Sequence, residues 1–133
     1  MKITVYVEGN SDVLSMNELL KSLIENKQQT GISISFYAIQ RGDGKKSVLF
    51  EVPERAANML LAGPPDTFVV ALPDLYPRNK GFPHETAQEL IVGIMREFEG
   101  QVRRKGRDLD PRTRSRFKVF CFKYELETLI LAA

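Results

Sequence analysis

Cysteine, histidine and tryptophan are nearly missing from this chain, and each shortage argues against a kind of chemistry. The 133 residues contain one cysteine, one histidine and no tryptophan. A single cysteine, Cys121, cannot form an internal disulfide or build a cysteine-rich zinc site. With only His84 present, a histidine-based metal site or a Ser/His/Asp triad is disfavoured. Because His84 follows a proline at a predicted helix start, we expect it to cap that helix or to lie in solvent.

Long apolar runs are missing too. No stretch approaches the roughly 20 residues that a membrane-spanning helix needs, and the N-terminus lacks the basic and apolar regions of a signal peptide. Hydrophobic residues make up 43% of the chain and charged residues 27%, which is ordinary for a globular protein. We therefore predict one domain over residues 1–133, in the cytoplasm and without a membrane partner, and we make no prediction of its oligomeric state.

Basic residues are concentrated in one segment, although the formal net charge is only +2. Residues 103–118 hold eight basic and two acidic residues, whereas the remainder has 11 basic and 15 acidic residues. A positive segment on a mildly acidic body indicates contact with a polyanion, and the alternative is a solvated helix end and loop. This basic block consists of Arg103, Arg104, Lys105, Arg107, Arg112, Arg114, Arg116 and Lys118.

Strand-like and helix-like patterns alternate along the chain. The predicted strands are residues 2–8, 32–39, 67–74 and 117–122, which are rich in β-branched and apolar residues. Helical patterns follow each of them, and the segment "SVLFEV" fits either a strand or a helix. This alternation predicts an α/β fold with a four-stranded, mainly parallel sheet and helices on both faces.

Two of the predicted helices have clear end signals. In the first, Asn10 or Ser11 is the expected N-cap and Gly31 ends the helix. In the third, Thr86 and Glu89 have the spacing of a capping box. Apolar residues at helical spacing are expected to form one buried face in each helix. These are Met16, Leu19, Leu20, Leu23 and Ile24 in the first helix, and Ala87, Leu90, Ile91, Ile94, Met95, Phe98 and Val102 in the third.

Acidic residues follow three of the four predicted strands. Glu8 ends the first, Asp74 ends the third, and Glu125 and Glu127 come shortly after the fourth. Ligands of parallel sheets bind beyond the carboxyl ends of the strands, and clustered carboxylates are costly to desolvate unless a cation joins them. Oxygen ligands without histidine or cysteine favour Mg²⁺ or Mn²⁺. We therefore predict a divalent-metal site here, with Gly9 leaving room beside Glu8.

Simpler interpretations exist for some of these residues. An acid at the start of a helix favours the helix dipole. Ser11 and Ser15 lack an obvious base and Cys121 falls inside a strand, so a nucleophilic enzyme is not predicted. The turn "RGDGKKS" has the glycines and lysines of a phosphate loop but lacks the G-x-x-x-x-G-K-[ST] spacing, so no phosphate loop is predicted there.

The segment "YVEGNSD" resembles the opening motif of the Toprim domain, which topoisomerases, primases and nucleases share. That family has a glutamate and a glycine after its first strand and Asp-x-Asp after its third. Glu8 and Gly9 match the first element. In "ALPDLYP", Asp74 matches the first aspartate, and Tyr76 stands in the position of the second.

The chain is more similar still to a family of small Toprim-like proteins, akin to the Toprim domains of OLD-family nucleases. In that family D-L-Y replaces Asp-x-Asp, and Y-E-x-E opens a later helix. "PDLYP" and "KYELETLILA" resemble these motifs, and the similarity extends from Glu8 to the end of the chain. The chain stops inside that last predicted helix, as expected for either a natural short form or a fragment.

The resemblance implies a Toprim fold and nuclease-like processing of phosphodiester bonds with Mg²⁺ or Mn²⁺. It implies that Glu8 is the general acid/base or a metal ligand and that Asp74 is a metal ligand, with Glu125 and Glu127 supplying what Tyr76 does not. Tyr76 would hydrogen-bond a phosphate or stack on a base. The basic block would hold the backbone of DNA or RNA without reading its sequence.

Two alternative functions fit the same fold. One is a nucleic-acid or nucleotide-binding module without turnover, which Tyr76 in place of an aspartate favours. The other is a protein-interaction module whose basic block meets an acidic partner. At the level of the fold, the alternative is a flavodoxin-like or receiver-type sheet, because receivers also gather acids at strand ends around Mg²⁺.

Overall fold

Four parallel strands form the centre of the protein. The computed structural model describes residues 1–39 and 43–122. Its strands are β1 (Lys2–Val7), β2 (Ser33–Ala38), β3 (Thr67–Ala71) and β4 (Phe117–Val119), in the order β2-β1-β3-β4. All three pairings are parallel. The predicted α/β class with a four-stranded parallel sheet is confirmed, and the fold is consistent with a Rossmann-like α/β arrangement.

Helices cover both faces of this sheet. The segment "SVLFEV" proves to be helical, since it forms a π-helical turn over Ser47–Glu51 that runs directly into the next helix. The predicted final helix, from Glu125 on, lies outside the described residues. Along the described chain, no helix is both long enough and apolar enough to cross a membrane. The helices are α1 (Asn10–Leu19), α2 (Lys21–Gln29), α3 (Gly44–Lys46), α4 (Val52–Ala62), α5 (Ala87–Arg104) and α6 (Pro111–Ser115).

The main core lies between the sheet and helices α4 and α5. The predicted stripe on α5 is confirmed, because its residues at four-residue spacing have no exposed surface. The ring of Phe98 packs on Phe117 of β4 with centroids 4.6 Å apart. The oxygen of Thr86 accepts a hydrogen bond from the Glu89 amide at 3.1 Å, which confirms the predicted cap. The buried stripe consists of Leu90, Ile94, Phe98 and Val102.

The first predicted helix is wrong in its middle. The helix is interrupted at Leu20 between α1 and α2, but four-residue backbone hydrogen bonds continue from Met16 through Leu20 to Ile24, and these three residues share one inward face. Leu19 and Leu23 lie beside that face and are 53% and 44% exposed, while Met16 is buried against the sheet. The N-cap is Gly9 rather than Asn10 or Ser11. The predicted end holds, because Gly31 has a positive φ of 84°.

His84 is buried, contrary to the expectation that it caps a helix or faces solvent. The loop between β3 and α5 folds back on itself through Asn79, whose amide donates to the His84 carbonyl and whose side-chain oxygen accepts from the His84 amide. This closure turns the imidazole inward, where its Nδ1 lies 2.9 Å from the Phe82 carbonyl oxygen. The histidine is therefore part of the loop's own packing.

The topology places a cleft at the carboxyl ends of β1 and β3. From β1 the chain passes to β2 by way of α1 and α2 on one face, and from β2 it returns to β3 by way of α4 on the other face. After β1 the chain continues to β2 on one side of the central strand pair, and after β3 it continues to β4 on the other side. The gap between β1 and β3 is therefore the topological switch point where ligands of such sheets bind. Flavodoxin-like and receiver-type sheets, the alternative named above, share this strand order.

Candidate functional site at the switch point

Two of the predicted acids are in direct contact. Strands β1 and β3 run in register from Lys2 opposite Thr67 to Tyr6 opposite Ala71. Beyond the end of this ladder, the backbone amide of Asp74, three residues after Ala71, donates a hydrogen bond at 2.6 Å to Oε2 of Glu8, two residues after Tyr6. The ends of β1 and β3 therefore bring together two residues that are 66 positions apart in sequence, as predicted.

An open cavity of about 430 Å³ lies above this contact. Glu8, Gly9, Asp74 and Tyr76, all predicted site residues, line it. The remaining lining includes charged residues that the sequence analysis did not assign to a site. These are Asp12, Asp43, Lys45 and Lys80.

Burial makes Glu8 titrate near neutral pH. Desolvation is the largest effect and, with the nearby Asp74 charge, raises the pKa of Glu8 from its ordinary 4.5 to about 7. The hydrogen bond from the Asp74 amide and the charge of Lys45 act in the opposite direction. Glu8 therefore exchanges a proton in the pH range where a general acid or base is most effective.

Lys45 is the main residue that the sequence analysis missed. Its side chain is only 2% exposed, and its ammonium donates hydrogen bonds to the carbonyl oxygens of Leu75, at 2.7 Å, and Pro77. Desolvation lowers the pKa of Lys45, and the negative charge of Glu8 partly offsets that effect. A buried ammonium thus ties the turn after β2 to both sides of Tyr76.

A second lysine ties the same two segments together. Lys80 forms an ion pair with Asp43, and its hydrogen bond lowers the pKa of the Asp43 carboxyl. The other oxygen of Asp43 accepts hydrogen bonds from the backbone amides of Lys45 and Lys46 and so caps α3. Asp43 therefore holds both the helical turn and the loop after β3 at the cavity.

The close backbone approach predicted at Gly9 occurs instead at Gly44. Gly9 is extended, and a Cβ there would meet only the Asp12 carboxylate, at 3.8 Å. A Cβ on Gly44 would overlap the carbonyl oxygen of Glu8 and lie 2.9 Å from the carbonyl carbon. The turn after β2 therefore packs directly on the backbone of Glu8, and only glycine fits there.

The position of this turn after β2 was a usable signal in the sequence. Asp43, Gly44 and Lys45 follow β2, so they lie at the same end of the parallel strands as Glu8 and Asp74. The phosphate-loop spacing that this turn lacks has no bearing on whether its lysine is buried.

Glu8 and Asp74 have the chemistry of a magnesium site with two protein ligands. Mg²⁺ is bound by one or two carboxylates, with water and substrate phosphate completing its shell. Burial raises the pKa of Glu8, and a divalent cation beside it would favour the ionised carboxylate. Within residues 1–39 and 43–122, no group of three or more acidic, histidine or cysteine side chains is placed to hold a metal ion. The fit is therefore to a site completed by water and substrate.

Glu125 and Glu127 lie outside the described residues, so their predicted part in the site stays a prediction. The last described residue, Phe122, forms an isolated parallel bridge with Asp74. Its amide donates to the Pro73 carbonyl and its carbonyl accepts from the Leu75 amide. The chain therefore passes immediately beside Asp74 just before the two glutamates.

The basic block lies away from the cavity, and its Arg116 is near the amino end of β3. The block begins at the C-terminal end of α5 and ends at Lys118 within β4, opposite Val70 of β3. Arg116 donates hydrogen bonds to backbone carbonyls of residues 60, 64 and 67, and Arg103 and Arg114 form ion pairs with Glu99. Part of the block thus has a structural role, and none of its residues lines the cavity.

No protein-family model, curated protein or solved structure matches this chain. The Toprim resemblance therefore stays a prediction, and the geometry of the cavity carries the functional argument.

Proposed function

We propose that this protein is a Toprim-like domain that processes phosphodiester bonds of nucleic acid with Mg²⁺ or Mn²⁺, in the manner of a nuclease. The observation that carries the proposal is the direct contact of Glu8 and Asp74 at the β1/β3 switch point. An open cavity above Asp74 and the desolvated Glu8 is the setting in which a cation and a phosphate would compensate the carboxylate charge.

Glu8 and Asp74 are the residues that would hold the metal ion. When bound, Mg²⁺ would neutralise phosphate charge and activate water for attack. The alternative role of Glu8, with Asp74 as the metal ligand, is proton acceptor or donor, because its pKa of about 7 without a metal ion allows either at neutral pH. The amide of Asp74 orients the Glu8 carboxylate through its hydrogen bond to Oε2.

Lys45 is the proposed positioning residue of the site. Its bonds to the Leu75 and Pro77 carbonyls fix the loop that carries Asp74 and Tyr76. Its charge also favours the ionised form of Glu8. Lys45 therefore connects the shape of the cavity with its electrostatics.

The basic block is the proposed contact for the backbone of DNA or RNA outside the cavity. Strands of five or six residues put about 20 Å between the carboxyl and amino ends of the strands. A strand of several nucleotides spans that distance, so one nucleic acid could reach both the cavity and the block. Contacts to phosphates would hold it without reading sequence.

A nucleic-acid or nucleotide-binding module without turnover is the second candidate. The observation that favours it is the buried ammonium of Lys45, which already supplies part of the charge that a metal ion would provide near Glu8. Tyr76 in place of a second aspartate points the same way.

A nuclease assay separates the two candidates. Single-stranded and duplex DNA and RNA are incubated with the protein and either Mg²⁺ or Mn²⁺. We expect cleavage by the natural protein, and a loss of at least about 100-fold with Glu8→Gln or Asp74→Asn, the scale of general acid–base catalysis. Glu25→Gln, at an exposed position on α2, is the matched control and should leave cleavage unchanged.

Cleavage that survives both Glu8→Gln and Asp74→Asn would remove these residues from the active site. Metal-dependent binding without cleavage would instead establish the second candidate.

A further inference from the structure

Tyr76 is exposed on a loop whose neighbouring residues are fixed. Its side chain is 49% exposed, whereas Leu75 before it is buried. The carbonyl oxygens on both sides of Tyr76 accept hydrogen bonds from buried Lys45, and the amide of Leu75 donates to the Phe122 carbonyl at 2.7 Å. The ring is therefore presented from a backbone that is tied down on both sides, so little ordering entropy is lost when a ligand contacts it.

The surroundings of the ring suit a flat aromatic ligand. Tyr76 lines the cavity together with Glu8 and Asp74. The guanidinium carbon of Arg78 lies over the ring, 5.2 Å from its centroid, and an ion pair with Glu85 at 3.4 Å holds Arg78. A half-exposed aromatic ring with an arginine beside it is the pair of side chains on which nucleobases stack.

The geometry points to Tyr76 as a stacking platform for an unpaired nucleobase next to the phosphate that occupies the cavity. This inference rests on the proposed function and names its substrate class. Bases inside a duplex are already stacked on their neighbours, so a side chain at the rim of a cavity stacks only on a base that is unpaired or splayed out. The substrate is accordingly single-stranded nucleic acid or an unpaired end, rather than intact duplex.

The chain contains a matched control for this residue. Tyr37 on β2 is also 49% exposed, contacts the ring of Tyr6 at a centroid distance of 6.2 Å and does not line the cavity. Tyr37→Ala removes the same exposed ring from a different part of the surface. Tyr76→Phe keeps the stacking ring and removes only the hydroxyl, which separates stacking from a hydrogen bond to phosphate.

Fluorescence anisotropy with two labelled oligonucleotides tests the platform. One is oligothymidylate of roughly ten nucleotides, within the usual site size for single strands. The other has the same number of phosphates but abasic residues throughout. With Ca²⁺ in place of Mg²⁺, so that the probes are not cleaved, we expect Tyr76→Ala to weaken oligothymidylate binding roughly 5- to 150-fold, the range of one base stacked on an aromatic ring. Abasic binding should change less than about twofold, and Tyr76→Phe and Tyr37→Ala should bind both probes like the natural protein.

Several outcomes would overturn the inference. One is equal binding of the two probes by the natural protein, and another is a Tyr76→Ala variant that weakens both probes equally. If Tyr76→Phe fails as Tyr76→Ala does, the hydroxyl and not the ring makes the contact. Failure of the oligothymidylate probe to bind would overturn the platform, and with no cleavage that depends on Glu8 it would overturn the proposed function as well. Glu8-dependent cleavage with equal binding of both probes would remove the platform alone. Thermal unfolding of each variant confirms that it is folded.

Discussion

Replacing Glu8 by glutamine is expected to stabilise the protein above neutral pH, although it removes a proposed catalytic group. The folded protein holds the Glu8 proton more tightly than the unfolded chain, because burial raises the pKa of this carboxyl from 4.5 to about 7. Its protonation therefore stabilises the fold fully below pH 4.5, and that contribution is lost as the pH rises through 7. Glutamine is neutral at every pH and its oxygen can still accept the bond from the Asp74 amide.

The size of the effect follows from the two pKa values. Moving a pKa from 4.5 to about 7 corresponds to about 3 kcal/mol of unfolding free energy. That value is an upper limit here, because Glu8 borders an open cavity where water screens its charge. At pH 8 the free energy of unfolding of Glu8→Gln should exceed that of the natural protein by up to this amount, and at pH 4.5 the two should be nearly equal.

Urea unfolding at a series of pH values between 4.5 and 8 measures this difference directly, in buffers without divalent cations. The matched control is Glu25→Gln, which removes one carboxylate from an exposed position on α2 and should show a difference that does not grow with pH. If Glu8→Gln is no more stable than the natural protein at pH 8, or if its advantage does not depend on pH, the assignment of a desolvated Glu8 is wrong.

Two further predictions concern the turn after β2. Gly44→Ala places a Cβ against the Glu8 carbonyl and should lower the free energy of unfolding by about 2 kcal/mol. Gly100→Ala, where a Cβ meets nothing within 4 Å in the middle of α5, should instead raise it by about 0.5–1 kcal/mol. Lys45→Met leaves two carbonyl oxygens without their donor and should cost about 2 kcal/mol. Lys45→Met also removes the cation that lowers the pKa of Glu8. When the free energy of unfolding is compared with and without Glu8→Gln in the Lys45→Met background, the pH midpoint of the difference should therefore be higher than in the natural protein. An unchanged midpoint would mean that the two groups do not interact.

The elements of this fold were predictable where a pattern is local and strong. Apolar runs predict β1 and β3, and the four-residue spacing from Leu90 to Val102 predicts α5. Each of these patterns shows by itself which residues of the element are buried. The pairing of Glu8 with Asp74 was also predictable, since strand–helix alternation forces a parallel sheet and parallel strands end at one edge.

Other features depend on contacts that no local pattern contains. The sheet covers only a narrow stripe of α1 and α2, which leaves Leu19 and Leu23 exposed, and helical spacing alone does not give the width of that stripe. The burial of Lys45 depends on the loop after β3, 30 residues away in sequence. A lysine among glycines is usually a solvated turn residue, so its position beneath Tyr76 could be found only from the structure.

The ties made by Lys45 and Lys80 have a consequence for folding. Each joins the segment after β2 to the segment after β3, and β1 lies between those two strands in the sheet. The cavity therefore cannot assemble from any one unit of adjacent chain; it closes only when β2, β1 and β3 are all aligned. Such non-local closure belongs to the late part of folding. A partly folded intermediate that lacks β3 has no site, so ligand binding at the cavity would report the fully native population.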